Sequence, residues 1–394
     1  MANKDVIEKD KSYIAHTYNR FNVALKTGYG SRVIDFDGKS YIDFGSGIGT
    51  NALGFCNEQW LEAVISQAQQ LQHTSNLFYT LPDAKLAEML CKITGYSNVF
   101  FGNSGAEANE GAIKIARKHG IETKGKNCNK IITLKNSFHG RTVTTLSATG
   151  QDVFHQHFFP FTEGFLYVAA NDIQELYNAI DNTVCAVMIE FVQGEGGVIA
   201  LSKEYVKAIE NICKEKNILL IADEVQTGIG RTGTFLCCEQ YEVFPNIITL
   251  AKGLGGGLPI GAILSDETVK DVLQAGHHGS TFGGNPVVCA GAAAVLRQIA
   301  NSDSLSDIRQ KADYFRRELL EIPEIIEISG LGLMIGISLS EELNAAEIAA
   351  DCIDNGLLIL TAKNKLRILP PLNITYDEIN EGIHILKAVL DGKK

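Results

Sequence analysis

The chain has 394 residues, 45% of them hydrophobic and 21% charged, with a formal net charge of −11. That length allows two domains and a large core, and the balance is that of an ordinary globular protein. It disfavours a nucleic-acid partner, which needs a basic surface for phosphates, and no apolar run approaches the roughly 18–20 residues of a membrane span.

Met1 to Asp10 lacks the apolar centre of a signal peptide, so the expected compartment is the cytoplasm. Nine cysteines with no framework spacing, Cys237 and Cys238 adjacent among them, read as reduced, buried thiols. The sequon at Asn373-Ile-Thr375 is idle in that compartment.

In chain order, Thr17 to Arg20 shows no clear period. Val33 to Phe44 is a hairpin of two alternating strands joined around Asp37-Gly38. Ser46 to Gly54 is a small-residue loop, and helical patterns follow at about 58–71 and 83–94. From Val99 a strand–helix alternation begins. Strands are predicted at Val99–Phe101, Lys130–Leu134, Val184–Glu190, Ile218 to about Asp223, Ile247 to about Leu250 and Ala262–Leu264. Helices are predicted from Ser104 to about His119 and over about 203–216. Such alternation implies a mostly parallel α/β sheet covered on both faces. A small-residue helix starts at Asn285-Pro286, and another runs from about Ser304 to Leu320. Shorter α+β units follow: strands at Ile325–Ile328, Met334–Leu339 and Leu366–Leu369, and helices at Glu347–Asn355, capped by Gly356, and Tyr376–Leu390. The expected organisation is a large domain over 58–290 and a smaller α+β domain built from 1–57 and 291–394. There is no internal repeat and no low-complexity tract.

Two runs define the candidate chemistry. Ile218-Leu-Leu-Ile-Ala-Asp223 ends in a carboxylate, and Ile247-Ile-Thr-Leu-Ala-Lys252 ends in an amine. Ligands of open α/β sheets sit beyond the carboxyl ends of the strands, where both groups fall. An acid and an amine there suit a cofactor with a basic ring nitrogen and an aldehyde, as pyridoxal phosphate has.

Other motifs are ambiguous singly. Asn103-Ser-Gly-Ala-Glu107 is a capping box on Ser104 and Glu107, or a phosphate site using the free amides of Gly105 and Ala106. Gly228-Ile-Gly-Arg-Thr-Gly233 has the letters of a dinucleotide fingerprint. It neither follows its strand directly nor opens a helix, which argues against a nicotinamide dehydrogenase. Gly253-Leu-Gly-Gly-Gly257 lacks the Lys-Ser/Thr of a P-loop. Phe138 is a ring-stacking residue or core, and Arg141 is a carboxylate fork or a solvated charge. His155, His157, His277 and His278 have no metal-ligand spacing, so no metal is expected. Glu190 and Glu195 lie at another strand end, where a glutamate is more often a loop charge than a catalytic group.

Taken together and in order, Asn-Ser-Gly-Ala-Glu-Ala-Asn-Glu, Ser-Phe-His-Gly-Arg-Thr, Ile-Ala-Asp-Glu-Val-Gln-Thr-Gly, Leu-Ala-Lys-Gly and Ser-Thr-Phe-Gly-Gly-Asn-Pro carry a resemblance. The chain resembles the class III, fold-type I, pyridoxal-phosphate-dependent aminotransferases from about Thr17 onward. Within them it is most similar to the acetylornithine aminotransferases.

The resemblance implies a seven-stranded central sheet, pyridoxal phosphate as cofactor, and a homodimer. It puts the cofactor-linked lysine on Lys252, the partner of the ring nitrogen on Asp223, and a contact to the ring hydroxyl on Gln226. Ser104, Gly105 and Ala106 would cup the phosphate, Phe138 would stack on the ring, and Thr281 would reach the phosphate in the neighbouring subunit. Arg141 would bind a carboxylate, and Ser280 would contact the acyl group. Glu195 and Arg367 would pair so that one pocket accepts two substrates, and Tyr18 would touch substrate. The implied reaction moves the terminal amine of an acylornithine to 2-oxoglutarate. Alternatives on the same fold are ornithine, 4-aminobutyrate or succinyldiaminopimelate aminotransferases and an aminomutase. A pyridoxal-phosphate-binding regulatory protein is the non-enzymatic alternative. Three positions depart from the family pattern: Phe191 for a proline, Ala106 for a threonine and Phe55 for a histidine.

Overall fold

Seven strands form the central sheet of the computed structural model, which describes residues 1–393. They are β1 (Asn98–Gly102), β2 (Lys130–Leu134), β3 (Phe165–Val168), β4 (Val184–Ile189), β5 (Leu219–Asp223), β6 (Ile247–Leu250) and β7 (Gly261–Ser265). Their spatial order is β1-β7-β6-β5-β4-β2-β3. All neighbours are parallel except β7, which runs antiparallel to both β6 and β1. Every residue of β4, β5, β6 and β7 is buried. Layers of structure cover both faces, which is why these strands read as unbroken apolar runs.

The directions place the carboxyl ends of β1, β2, β4, β5 and β6 along one edge. The helix that follows β1, α1 (Gly105–Lys124), buries a stripe from Ala108 through Ala116 against the sheet. The helix Pro286–Ile299 packs against the helices Glu58–Gln70 and Leu81–Thr94. Its small residues permit this approach: a Cβ on Gly291 would lie 3.0 Å from Trp60 Nε1 and 3.0 Å from Val64 Cγ2. Trp60 in turn donates its indole N–H to Gly255 O at 3.0 Å, anchoring the loop that follows β6.

Two four-stranded sheets flank this unit. Strands Leu25–Tyr29, Arg32–Asp35 and Ser40–Asp43 form a meander, and Leu357–Leu358 adds parallel to the last. The other sheet pairs Ile325–Leu331, Met334–Leu339, Lys365–Ile368 and Leu360–Ala362 in that order. Arg231 ties these parts together. It is buried, and its guanidinium donates to Leu333 O at 3.1 Å and Pro370 O at 2.7 Å.

The predicted strands and long helices are present with ends shifted by a few residues. The helix Asn3–Tyr13 was not anticipated; it buries none of its residues, so it carries no apolar period. Nor were β3 and the helices Val143–Ala148 and Ile173–Ala179. β3 is a four-residue edge strand with Tyr167 exposed, too short and mixed to announce itself. Two cysteines depart from the expected burial: Cys56 is exposed, and Cys91 is half-buried. No helix among the described residues is long and apolar enough to cross a membrane.

Candidate active site

A cavity of about 470 Å³ opens at the carboxyl edge of the central sheet. Asn103, Ser104, Gly105 and Ala106 come to it from the end of β1, and Phe138, His139, Gly140 and Arg141 from the segment after β2. Glu190 follows β4, Asp223 and Gln226 follow β5, and Lys252 follows β6. Each element ends at the edge where its polar residues begin. The sheet therefore delivers groups that lie up to 149 positions apart in the chain, from Asn103 to Lys252.

Ser104 caps α1, its Oγ accepting from the Glu107 amide at 3.1 Å. The predicted capping box forms only by half. Glu107 reaches one residue further back, to the Asn103 amide at 2.5 Å and the Asn103 side-chain amide at 2.8 Å, because Asn103 offers it two donors. The amides of Gly105 and Ala106 belong to the unsatisfied first turn of α1 and donate to no partner among the described residues. Close packing fixes this turn. A Cβ on Gly105 would lie 2.7 Å from Val225 Cγ1, and one on Gly261 2.1 Å from Ser104 O.

Asp223 sits in a buried polar network. Its Oδ2 accepts from Asn109 Nδ2 at 2.7 Å and from His139 Nδ1 at 2.8 Å, and its Oδ1 accepts from the Val225 amide at 3.1 Å. Asn109 also donates to His139 O at 2.8 Å and accepts from Thr249 Oγ1 at 2.7 Å. A carboxylate offers about four lone-pair sites; these three bonds leave one free.

Lys252 lines the cavity in a left-handed backbone conformation, φ +44°. Such a conformation is costly for a residue with a side chain and is held by its surroundings. Loss of solvent pushes the Lys252 amine below the usual lysine range. The charge of Glu195 opposes this, Arg367 adds to it, and Asp223 and Glu190 oppose it.

Glu190 is buried at the tip of β4. Its carboxyl is pushed well above the usual range, first by burial and then by Asp223. Its Oε2 accepts from the Phe138 amide at 2.8 Å and its Oε1 from the Gly194 amide at 3.4 Å. Glu195 and Arg367 meet nearby: Arg367 Nη1 donates to Glu195 Oε1 at 2.5 Å, with the arginine side chain 5% exposed and the glutamate 31%. Arg367 Nε is buried without a partner, as is Gln226 Oε1.

Arg141 carries no ion pair or hydrogen bond among the described residues. Its guanidinium lies over the Phe154 ring, 4.2 Å from the centroid, and 5.6 Å from that of Phe138. Ser280 stands beside the cavity, its Oγ accepting from Asn103 Nδ2 at 3.0 Å and from the Gly283 amide at 2.9 Å. Thr281 is exposed and does not line the cavity. Tyr18 is 74% exposed and lines a separate groove against the helix Asn3–Tyr13; the fold of one chain does not bring it to this site.

The three departures from the family pattern fall differently. Phe191 is buried behind the site, stacked on Tyr241 with centroids 5.0 Å apart. Phe55 packs beside the cluster of Val33, Tyr41 and Ile353. Only Ala106 lines the cavity. Asn109 and His139 were not singled out in the sequence, and Glu190 was set aside as a loop charge. The signal that places them is their position one helical turn or one strand end from residues that were chosen.

A family described as aminotransferase class III matches residues 13–390. The chain is 52% identical over 391 residues to the acetylornithine aminotransferase of Haemophilus ducreyi, covering 99% of each. It is 45% identical over 394 residues to that of Methanocaldococcus jannaschii, covering 99% of this chain and 98% of the other. Among solved structures it superposes on the ornithine aminotransferase of Toxoplasma gondii with a TM-score of 0.94 at 34% identity, covering 100% and 97%. It superposes on the N-acetylornithine aminotransferase of Stenotrophomonas maltophilia with a TM-score of 0.84 at 36% identity, covering 98% and 99%.

Proposed function

The chain belongs to the class III aminotransferases, which depend on pyridoxal phosphate, and on that premise we propose that it moves the terminal amine of N-acetylornithine to 2-oxoglutarate. The products are the acetylglutamate semialdehyde and glutamate, a step of arginine biosynthesis. The observation that carries the reading is the convergence of the Lys252 amine, the Asp223 carboxylate and the free amides of Gly105 and Ala106 on one cavity. The acylated substrate is supported by the curated relatives, named as acetylornithine aminotransferases.

The residues fit the cofactor. The buried, unpartnered Gln226 Oε1 suits a ring hydroxyl, and the first turn of α1 suits a phosphate, with Ser104, Gly105 and Ala106 as its cup. Phe138 supplies a ring to stack on, and the free lone pair of Asp223 suits a protonated ring nitrogen. When bound, pyridoxal phosphate supplies an aldehyde for an amine and a ring that withdraws electrons from the amine-bearing carbon.

Lys252 does the protein's share of the chemistry. Its amine, held below the usual lysine range, is unprotonated in a larger fraction of molecules than a solvated lysine, and only the unprotonated amine can act as nucleophile or take up a proton. Lys252 Nζ, lining the cavity, would take the proton from the amine-bearing carbon of the substrate. Asp223 would hold the ring nitrogen of the cofactor, and its carboxylate would favour the protonated form of that nitrogen.

The two substrates differ in charge. Glutamate brings two carboxylates and needs two cations, Arg141 and Arg367. The acylornithine brings one, for Arg141, with Ser280 beside its acyl group, and Glu195 then neutralises Arg367. The pairing of the half-buried Glu195 with the buried Arg367 supports this switch.

The assembly is a homodimer in which Thr281 serves the neighbouring subunit's phosphate. Its support is an exposed apolar patch of Leu77, Phe78, Tyr79, Leu81 and Phe282, which a monomer rarely presents to water. Asn76 bridges the two segments by donating to Ser280 O at 3.0 Å and Gly283 O at 2.8 Å. The chain divides into 58–290, which supplies all of the cavity lining but Thr50, and a smaller domain of 1–57 and 291–394; the pairing of Leu357–Leu358 with Ser40–Asp43 supports that union of the two ends. Tyr18, which lies outside the cavity of its own chain, would meet substrate only across the dimer. The compartment is the cytoplasm, supported by nine unpaired cysteines.

Single-turnover rates with N-acetylornithine, ornithine and succinyldiaminopimelate test the substrate. N-acetylornithine should give the largest kcat/KM; a larger value for either other amine would replace it.

A further inference from the structure

The geometry points to Phe154 as a positioning residue that aims Arg141 at the substrate's α-carboxylate. This rests on the reading of Arg141 as the carboxylate-binding group. Phe154 lies in the short turn Asp152–Phe154, outside every segment that suggested a function in the sequence, and does not itself line the cavity.

Arg141 is exposed at the cavity mouth, and no acidic side chain among the described residues holds it. A long cationic side chain in that setting samples many rotamers, and binding a carboxylate would cost that freedom. Many binding-site arginines are fixed by a neighbouring carboxylate, but such a partner occupies the same N–H donors that the substrate needs. A ring avoids that competition. The Phe154 face attracts the guanidinium through its quadrupole and leaves the N–H edge unoccupied. At 4.2 Å, Phe154 is the nearer of the two rings around Arg141; Phe138 is at 5.6 Å. The two rings also touch each other, centroids 6.1 Å apart and nearly perpendicular at 68°. Phe138 is committed to the cofactor ring in the proposed function, so Phe154 is the ring free to hold the arginine.

The loop that carries Arg141 is braced independently. Thr142 Oγ1 donates to Glu110 Oε1 at 2.5 Å, and the helix Val143–Ala148 starts there. The backbone is thus set without Phe154, and what the ring adds is the direction of the side chain.

The test replaces the ring while keeping its bulk, in the holoenzyme. Phe154→Met should raise KM for both N-acetylornithine and glutamate by about 3- to 30-fold, the range of a cation–π contact expressed as affinity. Its kcat and the absorbance of the lysine-linked cofactor should stay unchanged, and Phe154→Tyr should restore KM. In an Arg141→Ala background, Phe154→Met should add nothing further. An unchanged KM in Phe154→Met, while Arg141→Ala raises it, overturns the role of Phe154 alone. The same loss in both backgrounds makes Phe154 a general packing residue and also overturns it. An unchanged KM in Arg141→Ala instead overturns the reading of Arg141 on which this inference stands.

Discussion

Asp223 and His139 meet at 2.8 Å with side chains 4% and 0% exposed, and Asn109 closes the contact by donating to both Asp223 Oδ2 and His139 O. The carboxylate that faces the cavity is therefore oriented from within the core by a histidine and an amide. Removing the amide strands the carbonyl of His139 and the hydroxyl of Thr249, and leaves Asp223 Oδ2 with His139 as its one remaining donor. Asn109→Ala is expected to cost about 1–3 kcal/mol of apparent stability, the usual cost of a buried polar group left without its partner. Urea unfolding measures it. A change below about 0.5 kcal/mol would show that water fills the gap and that the network does not hold Asp223.

Lys252 is the group whose loss should end turnover. Lys252→Ala is expected to lower kcat by more than about 10⁴-fold, beyond the usual worth of a positioned acid–base group alone. The same variant should bind the cofactor without the absorbance of the lysine-linked form. Steady-state activity within tenfold of the unaltered enzyme would move the chemistry elsewhere.

The parts of the fold that were legible are those in which burial writes a pattern. β4 and β5 are buried along their whole lengths, so their residues are apolar throughout and the chain could only place them inside a covered sheet. The helix Asn3–Tyr13 buries nothing and β3 sits at an edge, so neither imposes a period. The site divides in the same way. Asp223 and Lys252 were legible because each terminates an apolar run with a charge. Asn109 was not: it sits inside α1 among small residues, and only the tertiary approach of β5 and of the segment after β2 gives its amide work. Glu190 looked like a loop charge because sequence cannot show that the Phe138 and Gly194 amides close over it. Tyr18 shows the converse. A position matched on family pattern alone has no place at this cavity within one chain.

The pair Glu195–Arg367 sets a measurable preference. With the glutamate gone, Arg367 loses its only ion-pair partner among the described residues and keeps a side chain 5% exposed. An uncompensated buried cation favours an incoming second carboxylate. Glu195→Ala is expected to raise kcat/KM for glutamate and lower it for N-acetylornithine, shifting their ratio by about tenfold or more. Single-turnover rates of the two half-reactions measure it. Equal losses in both would remove the switch.

Stability should also depend on pH through Glu224, the neighbour of Asp223 that turns away from the cavity. Its carboxylate accepts from the amides of Cys237 at 2.6 Å and Cys238 at 2.8 Å and from Thr227 Oγ1 at 3.2 Å. Burial nevertheless pushes its carboxyl up to about 7 from an ordinary value of 4.5. The folded chain therefore binds more protons than the unfolded one between those values. The stabilisation from the neutral acid is complete below about 4.5 and is lost as pH rises through about 7. Glu224→Gln keeps one acceptor oxygen and cannot ionise. Between pH 5 and 8 the unaltered protein should lose up to about 3 kcal/mol relative to this variant. Glu190, raised by burial, contributes a slope of the same sign. Lys252, lowered by burial, makes stability rise with pH up to its ordinary value of 10.5. Both are present in the two proteins and cancel in the difference. Urea midpoints measured at each pH give that difference directly, and two parallel profiles would mean that Glu224 is ionised in the fold throughout.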